Sequence, residues 1–247
     1  MNIVKEIFKI FAQYKCVSCG DDAMHMQCVC NSCLAHIDSI KQEMACKKCG
    51  RACDKDLCFF CNKEMPKFTQ AKTYCVYNDV SAAIIKNYKY YNNGLCKNFI
   101  SQKLKEIYEN EFANVKIDFI VPVPMNGMKE WVRGYNHCGQ IAKKAFTGSG
   151  AKILPFGLHK KFTFKKQAGS GRMQRLLNMR DVFFVNKKYN FEGMNVLLID
   201  DTITTGATIF ECTKAFFKSG AANVFVLTFA KSIADEEMMQ NLKEESY

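Results

Sequence analysis

The chain has 247 residues, of which 48% are hydrophobic and only four are proline, and this composition excludes an intrinsically disordered protein. Lys and Arg outnumber Asp and Glu by 35 to 24, for a formal net charge of +11, which favours a polyanionic partner such as a phosphate-rich ligand or nucleic acid. No stretch approaches the roughly 18 to 20 consecutive apolar residues that span a bilayer, so we expect no membrane insertion.

The first fifteen residues, MNIVKEIFKIFAQYK, alternate charged and apolar side chains, which predicts an amphipathic helix and not a signal peptide. Ten of the 14 cysteines follow between residues 16 and 61. A secreted disulfide scaffold would distribute its cysteines through the fold and would carry an export signal. The pattern therefore predicts a cytoplasmic protein with a metal-binding segment.

Four Cys-x-x-Cys pairs occur in succession in this segment. Two thiolates at this spacing reach one metal ion, and two pairs complete a tetrahedral zinc site. Sequential pairing predicts two structural zinc sites, with the ligands Cys16, Cys19, Cys30 and Cys33 in the first and Cys46, Cys49, Cys58 and Cys61 in the second. A cross-braced pairing, thiol exchange, and His25 or His36 as a substitute ligand are alternatives, and Cys28 and Cys53 are spare. Four thiolates fill the shell of a zinc ion, so we expect no zinc catalysis.

The cysteine density falls after Pro66, which places a domain boundary near residue 68. This gives a zinc-binding module with its N-terminal helix over residues 1–67 and a second domain over residues 68–247. Apolar runs predict strands at 73–79, 117–124, 151–157, 181–185, 195–200 and 223–230, and apolar residues three and four apart predict helices at 80–91, 93–112, 135–146 and 207–219. Buried strands that alternate with helices predict an α/β fold with a mostly parallel sheet.

The most informative motif is VLLIDDTITTGAT at residues 196–208. A buried strand delivers Asp200 and Asp201 to its carboxyl end, where ligands bind in open α/β sheets. The loop and helix start that follow supply backbone amides and hydroxyl groups over residues 204–208, which together can cradle a phosphate. The two carboxylates can accept hydrogen bonds from sugar hydroxyls or approach Mg²⁺. This combination predicts a ribose phosphate ligand.

The motif resembles the signature of the type I phosphoribosyltransferases for 5-phosphoribosyl 1-pyrophosphate (PRPP), which is four apolar residues, two acids and a Thr/Gly loop. The resemblance implies a type I phosphoribosyltransferase-like sheet flanked by helices. It also implies that Asp200 and Asp201 hold the ribose hydroxyls, with Mg²⁺ as a cofactor. The residues implied to hold the 5′-phosphate are Thr204, Thr205, Gly206, Ala207 and Thr208, and Thr202 is also implied to contact PRPP.

Further motifs are similar to those of the ComF family. VPVP at 121–124 and Arg133-Gly134-Tyr135-Asn136 resemble that family's pyrophosphate loop and its Arg-Gly-Phe-Asn element, and Gln167, Arg175, Asn178 and Phe183 stand at the spacing of its flexible loop. Tyr135 and His137 replace the usual Phe and Gln. The resemblance implies that Arg133 is catalytic and that Pro124, Gln167 and Arg175 contact PRPP. ComF proteins are cytoplasmic factors required for natural transformation and DNA uptake, which implies single-stranded DNA and a helicase as partners.

Two basic regions bear on those partners. Residues 152–188 contain ten Lys and Arg but only one acidic residue, and such a segment can close over pyrophosphate, follow a nucleic-acid backbone or form a solvated loop. Lys86 and Lys89 lie among Tyr88, Tyr90 and Tyr91, where the aromatic rings either stack on bases or pack the helix.

Three functions remain open at this point. The first is a DNA-uptake protein that binds PRPP with Mg²⁺ and works with single-stranded DNA. The second is an active phosphoribosyltransferase that transfers ribose 5-phosphate to a nucleobase or another nitrogen acceptor, with Mg²⁺ and Arg133 stabilising the departing pyrophosphate. The third is a regulator that keeps the PRPP loop as a sensor. The sequence contains no evident base-specific pocket, which favours the first function.

Overall fold

The structure is a computed structural model of the chain, and it describes residues 14–63, 65–125, 134–161, 182–204 and 206–232. The predicted N-terminal helix lies almost entirely outside these residues. Its last two residues form a short strand, β1 (Tyr14–Lys15), which pairs antiparallel with β2 (Asp22–Ala23).

A five-stranded sheet forms the centre of the fold. Its strands are β3 (Gln70–Val76), β4 (Phe119–Pro122), β5 (Lys152–Ile153), β8 (Asn195–Ile203) and β9 (Asn223–Lys231). They lie in the order β3-β9-β8-β4-β5, and all four pairings are parallel. The mostly parallel sheet predicted from the apolar runs is therefore confirmed. A separate antiparallel pair is formed by β6 (Leu158–Lys160) and β7 (Phe183–Val185).

Four longer helices connect the strands. They are α3 (Asp79–Tyr91), α4 (Gly94–Glu111), α5 (His137–Phe146) and α6 (Ala207–Phe217). Asn78 begins α3 with a capping box, because its side chain accepts from the backbone of Ser81 while the Ser81 hydroxyl accepts from the backbone of Asn78. The last turn of α3 ends at Asn92, which has a left-handed conformation.

Alternating residues of β8 face two separate cores. Leu197 and Ile199 pack with α3, α4 and α5 on one face of the sheet, and Val196 and Leu198 pack with α6 and β7 on the other. This explains why the strand is a continuous apolar run: both of its faces are covered. The arrangement brings α3, α5 and α6 around the carboxyl end of β8.

The cysteine-rich segment adds two short helices, α1 (Asn31–Ala35) and α2 (Phe59–Lys63), and it covers one edge of the sheet. Residues 38–50 run along the outer side of β3. The backbone N–H of Ile40 donates to Tyr74 O (2.8 Å), and the N–H of Ala71 donates to Lys48 O (2.8 Å). Edge strands leave backbone groups unpaired unless another segment covers them, so this part of the chain completes the sheet.

The two halves of the cysteine-rich segment pack on opposite faces of the sheet. Cys16 and Cys30 join the core that contains α3, α4 and α5, whereas Cys46, Cys49 and Cys58 join the core that contains α6. The segment therefore wraps around β3. Among the described residues, no helix combines the length and the apolar character needed to cross a bilayer.

Candidate functional site

The acidic pair lies at the carboxyl end of β8, in the middle of the sheet. The strand extends to Ile203, beyond the predicted end at Asp200, because β9 continues beside it and pairs Thr202 with Ala230 and Ile203 with Lys231. Parallel strands bring their carboxyl ends to the same edge, where ligands of open α/β sheets bind. Asp200 and Asp201 are therefore held on a strand and not on a loop.

Asp201 points into the protein and is only 3% exposed. The Thr202 hydroxyl donates to its Oδ1 (2.8 Å), the Lys89 Nζ lies 2.7 Å from its Oδ2, and His137 Nε2 contacts the same oxygen. Burial opposes ionisation, but contact with His137 and the charge of Lys89 outweigh it and hold the pKa of Asp201 below its usual value. The second acid of the motif is thus a buried, paired carboxylate.

Asp200 is less buried and has different partners. The backbone N–H of Asp201 donates to its Oδ1 (2.9 Å), and the Cys138 thiol lies 3.5 Å from the same oxygen. Burial of the group and the neighbouring charge of Asp201 raise the pKa of Asp200 to about 7. Its Oδ2 accepts no hydrogen bond from the residues that the structure describes, so this oxygen is available to a ligand.

The loop after the acids leads into α6. Gly206 precedes the helix with a φ of +75°, a left-handed conformation that favours glycine, and no side chain caps the helix start. Ala207 and Thr208 form the first turn, and Thr204 is exposed. The positive end of an 11-residue helix therefore faces the edge of the sheet that carries the acids, as phosphate binding requires.

The carboxyl end of β4 lies beside the acids. Val123 N–H donates to Ile199 O (2.9 Å), and the partly exposed Pro124 follows at the same edge of the sheet. Asn136 fixes this turn, because its Nδ2 donates to Val123 O (3.1 Å) while its Oδ1 accepts from Gly139 N–H (3.2 Å) at the start of α5.

Most of the remaining residues implied by the resemblance fall outside the part of the chain that the structure describes. Phe183 is a buried residue of β7 and does not belong to a loop at the site. The other positions fall outside the described residues, namely Arg133, Gln167, Arg175, Asn178 and Thr205.

Two site residues, Lys89 and His137, were not predicted. In the sequence, Lys89 belongs to a cluster of basic and aromatic residues, and His137 departs from the ComF pattern. Tyr88 explains how they come together: its ring is fully buried and its hydroxyl donates to His137 O (2.8 Å), which ties the end of α3 to the start of α5. The departure at His137 was the one signal in the sequence.

The first group of thiols converges as sequential pairing requires. The four Sγ atoms lie within 4.8 Å of one another, in Cys16, Cys19, Cys30 and Cys33. The Sγ atoms of Cys19 and Cys30 are 3.6 Å apart, close to the roughly 3.8 Å edge of a tetrahedron with zinc–sulfur bonds of about 2.3 Å. This donor set fits zinc.

The second group has the same geometry and deeper burial. Its four Sγ atoms also lie within 4.8 Å of one another, in Cys46, Cys49, Cys58 and Cys61. Lys231 donates from Nζ to Cys49 O (2.7 Å), and contact with Cys61 together with the charge of Lys231 lowers the pKa of Cys49 to about 4. Four convergent cysteine sulfurs are the donor set of a structural zinc site, so this group also fits zinc.

The spare cysteines and the nearby histidines remain outside both thiol groups. Cys28 is buried in the core, and Cys53 lies 2.9 Å from the carbonyl oxygen of Lys55. The His25 ring packs edge-on against Tyr14, and His36 Nδ1 bonds to Ser32 O (2.7 Å).

Two curated proteins are similar to this chain over most of its length. It is 26% identical to the competence protein ComFC of Bacillus subtilis (strain 168) over 215 residues, which cover 83% of this chain and 84% of that protein. It is 23% identical to competence protein F of Haemophilus influenzae over 229 residues, which cover 90% of this chain and 99% of that protein. The resemblance to the ComF family is thereby confirmed, although no protein-family model matches the chain.

Solved structures are similar to this chain at lower sequence identity. Adenine phosphoribosyltransferase from Saccharomyces cerevisiae is 19% identical with a TM-score of 0.38, over 68% of this chain and 82% of that one. The B. subtilis glutamine PRPP amidotransferase is 18% identical with a TM-score of 0.38, over 58% of this chain and only 30% of that one.

Proposed function

We propose that the chain is a ComF-like protein with a phosphoribosyltransferase domain that binds PRPP with Mg²⁺ and acts in natural transformation and DNA uptake. The observation that carries the proposal is the arrangement at the carboxyl end of β8, where Asp200 presents an open oxygen beside the start of α6. The two similar proteins named as competence proteins support the DNA-uptake role.

In this proposal each part of the site has a task. Asp200 accepts hydrogen bonds from ribose hydroxyls, and the start of α6 with Thr204 and Thr208 binds the 5′-phosphate. Because Lys89 already pairs with Asp201, the acids fit Mg²⁺ less well than an open pair would, so the ion would enter with the pyrophosphate oxygens of PRPP. Bound Mg²⁺ would supply charge neutralisation for the pyrophosphate.

The cysteine-rich segment has a structural role in this proposal. Two zinc ions bound by the two thiol groups would hold the segment around β3, since neither part has a large core of its own. We propose residues 1–67 as this zinc-binding module and residues 68–247 as the phosphoribosyltransferase-like domain, in a cytoplasmic protein, where thiols stay reduced.

Single-stranded DNA is proposed as a partner. The support is the net charge of +11 and two tyrosines at the end of α3, Tyr90 and Tyr91, which are 67% and 70% exposed. Aromatic rings beside basic groups provide stacking surfaces for bases. A helicase partner is part of the same proposal.

An active phosphoribosyltransferase is the second candidate. A sugar-binding acid and a phosphate-binding loop favour it, because they are the parts that orient PRPP for transfer. A PRPP sensor is the third candidate and would use the same residues without chemistry.

One set of measurements separates the three candidates. Titration calorimetry with PRPP and Mg²⁺ tests binding, and pyrophosphate release with a panel of nucleobases tests transfer. Fluorescence anisotropy with labelled single-stranded DNA, with and without PRPP, tests coupling to DNA. Base-dependent release indicates a transferase, binding with altered DNA affinity indicates the competence protein or sensor, and no PRPP binding would contradict all three.

The link to transformation needs a genetic test. A strain that lacks this protein should lose transformation, the unchanged chain should restore it, and Asp200→Asn should fail to restore it at equal protein levels. Full restoration by Asp200→Asn would show that DNA uptake does not depend on the ribose phosphate site.

A further inference from the structure

The two acids of β8 are not equivalent. Both carboxylate oxygens of Asp201 are engaged, Oδ1 by the Thr202 hydroxyl and Oδ2 by Lys89 and His137. Asp200 has one engaged oxygen, and its Oδ2 meets no polar partner in the described part of the chain. A ligand hydroxyl therefore finds an acceptor on Asp200 without displacing a protein contact, whereas on Asp201 it has to compete.

The groups around Asp201 come from separate parts of the fold. Lys89 lies in the last turn of α3 and His137 is the first residue of α5, so the buried carboxylate connects two helices to β8. The Lys89 ammonium and His137 Nε2 both lie within ion-pair distance of Oδ2. Burial strengthens the attraction between the Lys89 ammonium and the Asp201 carboxylate, because water screens it little.

A metal ion is a poor occupant of this cluster. His137, Cys138 and Asp201 place ligand atoms within 4.8 Å of one another, but the Lys89 ammonium already lies 2.7 Å from the shared carboxylate. A second cation there would be repelled by Lys89 in a site with little water. The cluster is better described as an internal ion pair.

We propose that Lys89 and His137 are positioning residues that hold Asp201 as an anchor between α3, α5 and β8, and that Asp200 is the acid that receives the sugar hydroxyls. This inference rests on the proposed function for its ligand. It departs from the equal roles that the resemblance implies for the two acids.

The first experiment compares the two acids by calorimetry with ribose 5-phosphate and with PRPP and Mg²⁺, alongside thermal unfolding of the full chain. Asp200→Asn should weaken ligand affinity at least tenfold without lowering Tm. Asp201→Asn should lower Tm by several degrees and weaken affinity less, because it removes an internal ion pair. Loss of affinity at Asp201 equal to that at Asp200, with Tm unchanged, would overturn the division of roles.

The second experiment tests Lys89. Lys89→Met should reproduce the effects of Asp201→Asn on Tm and on ligand affinity. Lys89→Arg should bind the ligand more tightly than Lys89→Met does, because it keeps the positive charge. Lys86→Met changes an exposed lysine of the same helix and should alter neither Tm nor affinity. Failure of Lys89→Arg to restore any affinity would indicate that the side chain only packs and does not position Asp201.

The third experiment needs no ligand. The stability losses of Lys89→Met and Asp201→Asn should not add in the double variant, because each removes the same ion pair. Additive losses would show that Lys89 and Asp201 do not stabilise the fold through a shared ion pair, which would overturn the proposal. If the unchanged protein bound neither sugar phosphate, the proposed function and the ligand role of Asp200 would fail, while this cycle would still decide whether Lys89 anchors Asp201.

Discussion

Gly50 and Gly20 offer a matched test of how closely the second thiol group packs against the sheet. Each follows a Cys-x-x-Cys pair and has a positive φ, +66° for Gly50 and +84° for Gly20. A Cβ on Gly50 would lie 2.7 Å from Ala71 O and 3.0 Å from the Lys72 Cα, both in the backbone of β3, whereas a Cβ on Gly20 would meet nothing within 4 Å. The two Gly→Ala variants therefore share backbone strain and differ in the clash.

The expected stability losses follow from these distances. Left-handed strain costs about 1 to 2 kcal/mol in either variant, and forcing atoms into a packed backbone adds about 1 to 3 kcal/mol. We therefore expect Gly20→Ala to lower the free energy of unfolding by about 1 to 2 kcal/mol and Gly50→Ala by about 2 to 5 kcal/mol. The entropy removed from the unfolded chain is similar at both positions, so the difference isolates the clash.

Equilibrium urea unfolding of the zinc-loaded proteins measures both losses, and metal analysis shows whether Gly50→Ala also weakens zinc binding at the second group. Losses that agree within about 0.5 kcal/mol, the usual size of effects that need no special mechanism, would refute the reasoning. They would mean that residues 46–50 can move away from β3 without penalty.

Three further predictions concern other parts of the chain. Glu111→Ala should lower the free energy of unfolding by about 3 kcal/mol in urea titrations, because it leaves the buried Lys72 ammonium, 2.5 Å from Glu111, without its partner. Cys46→Ser should reduce the zinc content from two ions to one per chain by elemental analysis, and Cys53→Ser, outside both thiol groups, should keep two. Because the pKa of Asp200 is raised to about 7, the folded chain binds more protons than the unfolded chain between about pH 4 and 7, so this acid makes stability fall as pH rises through that window. Asp200→Asn should remove that decline in unfolding curves measured across the window, and an unchanged decline would assign it to another group.

Local patterns predicted the sheet well but not the full length of its central strand. The apolar run of β8 was visible in the sequence, whereas its extension through Thr202 to Ile203 depends on pairing with β9. Two acids and a threonine do not resemble a strand when they are considered alone. Strand ends are thus set by the neighbouring strand, which is distant in sequence.

The sequence likewise predicted the local part of the candidate site but not its long-range contacts. The acids, the glycine and the helix start lie within one short motif, and their side-by-side placement follows from the chain direction. The pairing of Asp201 with Lys89 and His137 joins residues far apart in sequence, and nothing in the local pattern separates the two acids. Their different surroundings arise only when α3 and α5 pack on one face of the sheet.

The path of residues 38–50 along β3 links thiol chemistry to aggregation. The backbone of β3 is shielded on its outer side by this segment, and the segment continues into the second thiol group. Oxidation of those thiols, or loss of a metal bound by them, would release the segment and leave an uncovered strand that can pair with the same strand of another molecule. Purification without a reducing agent should therefore yield soluble oligomers before it yields unfolded protein.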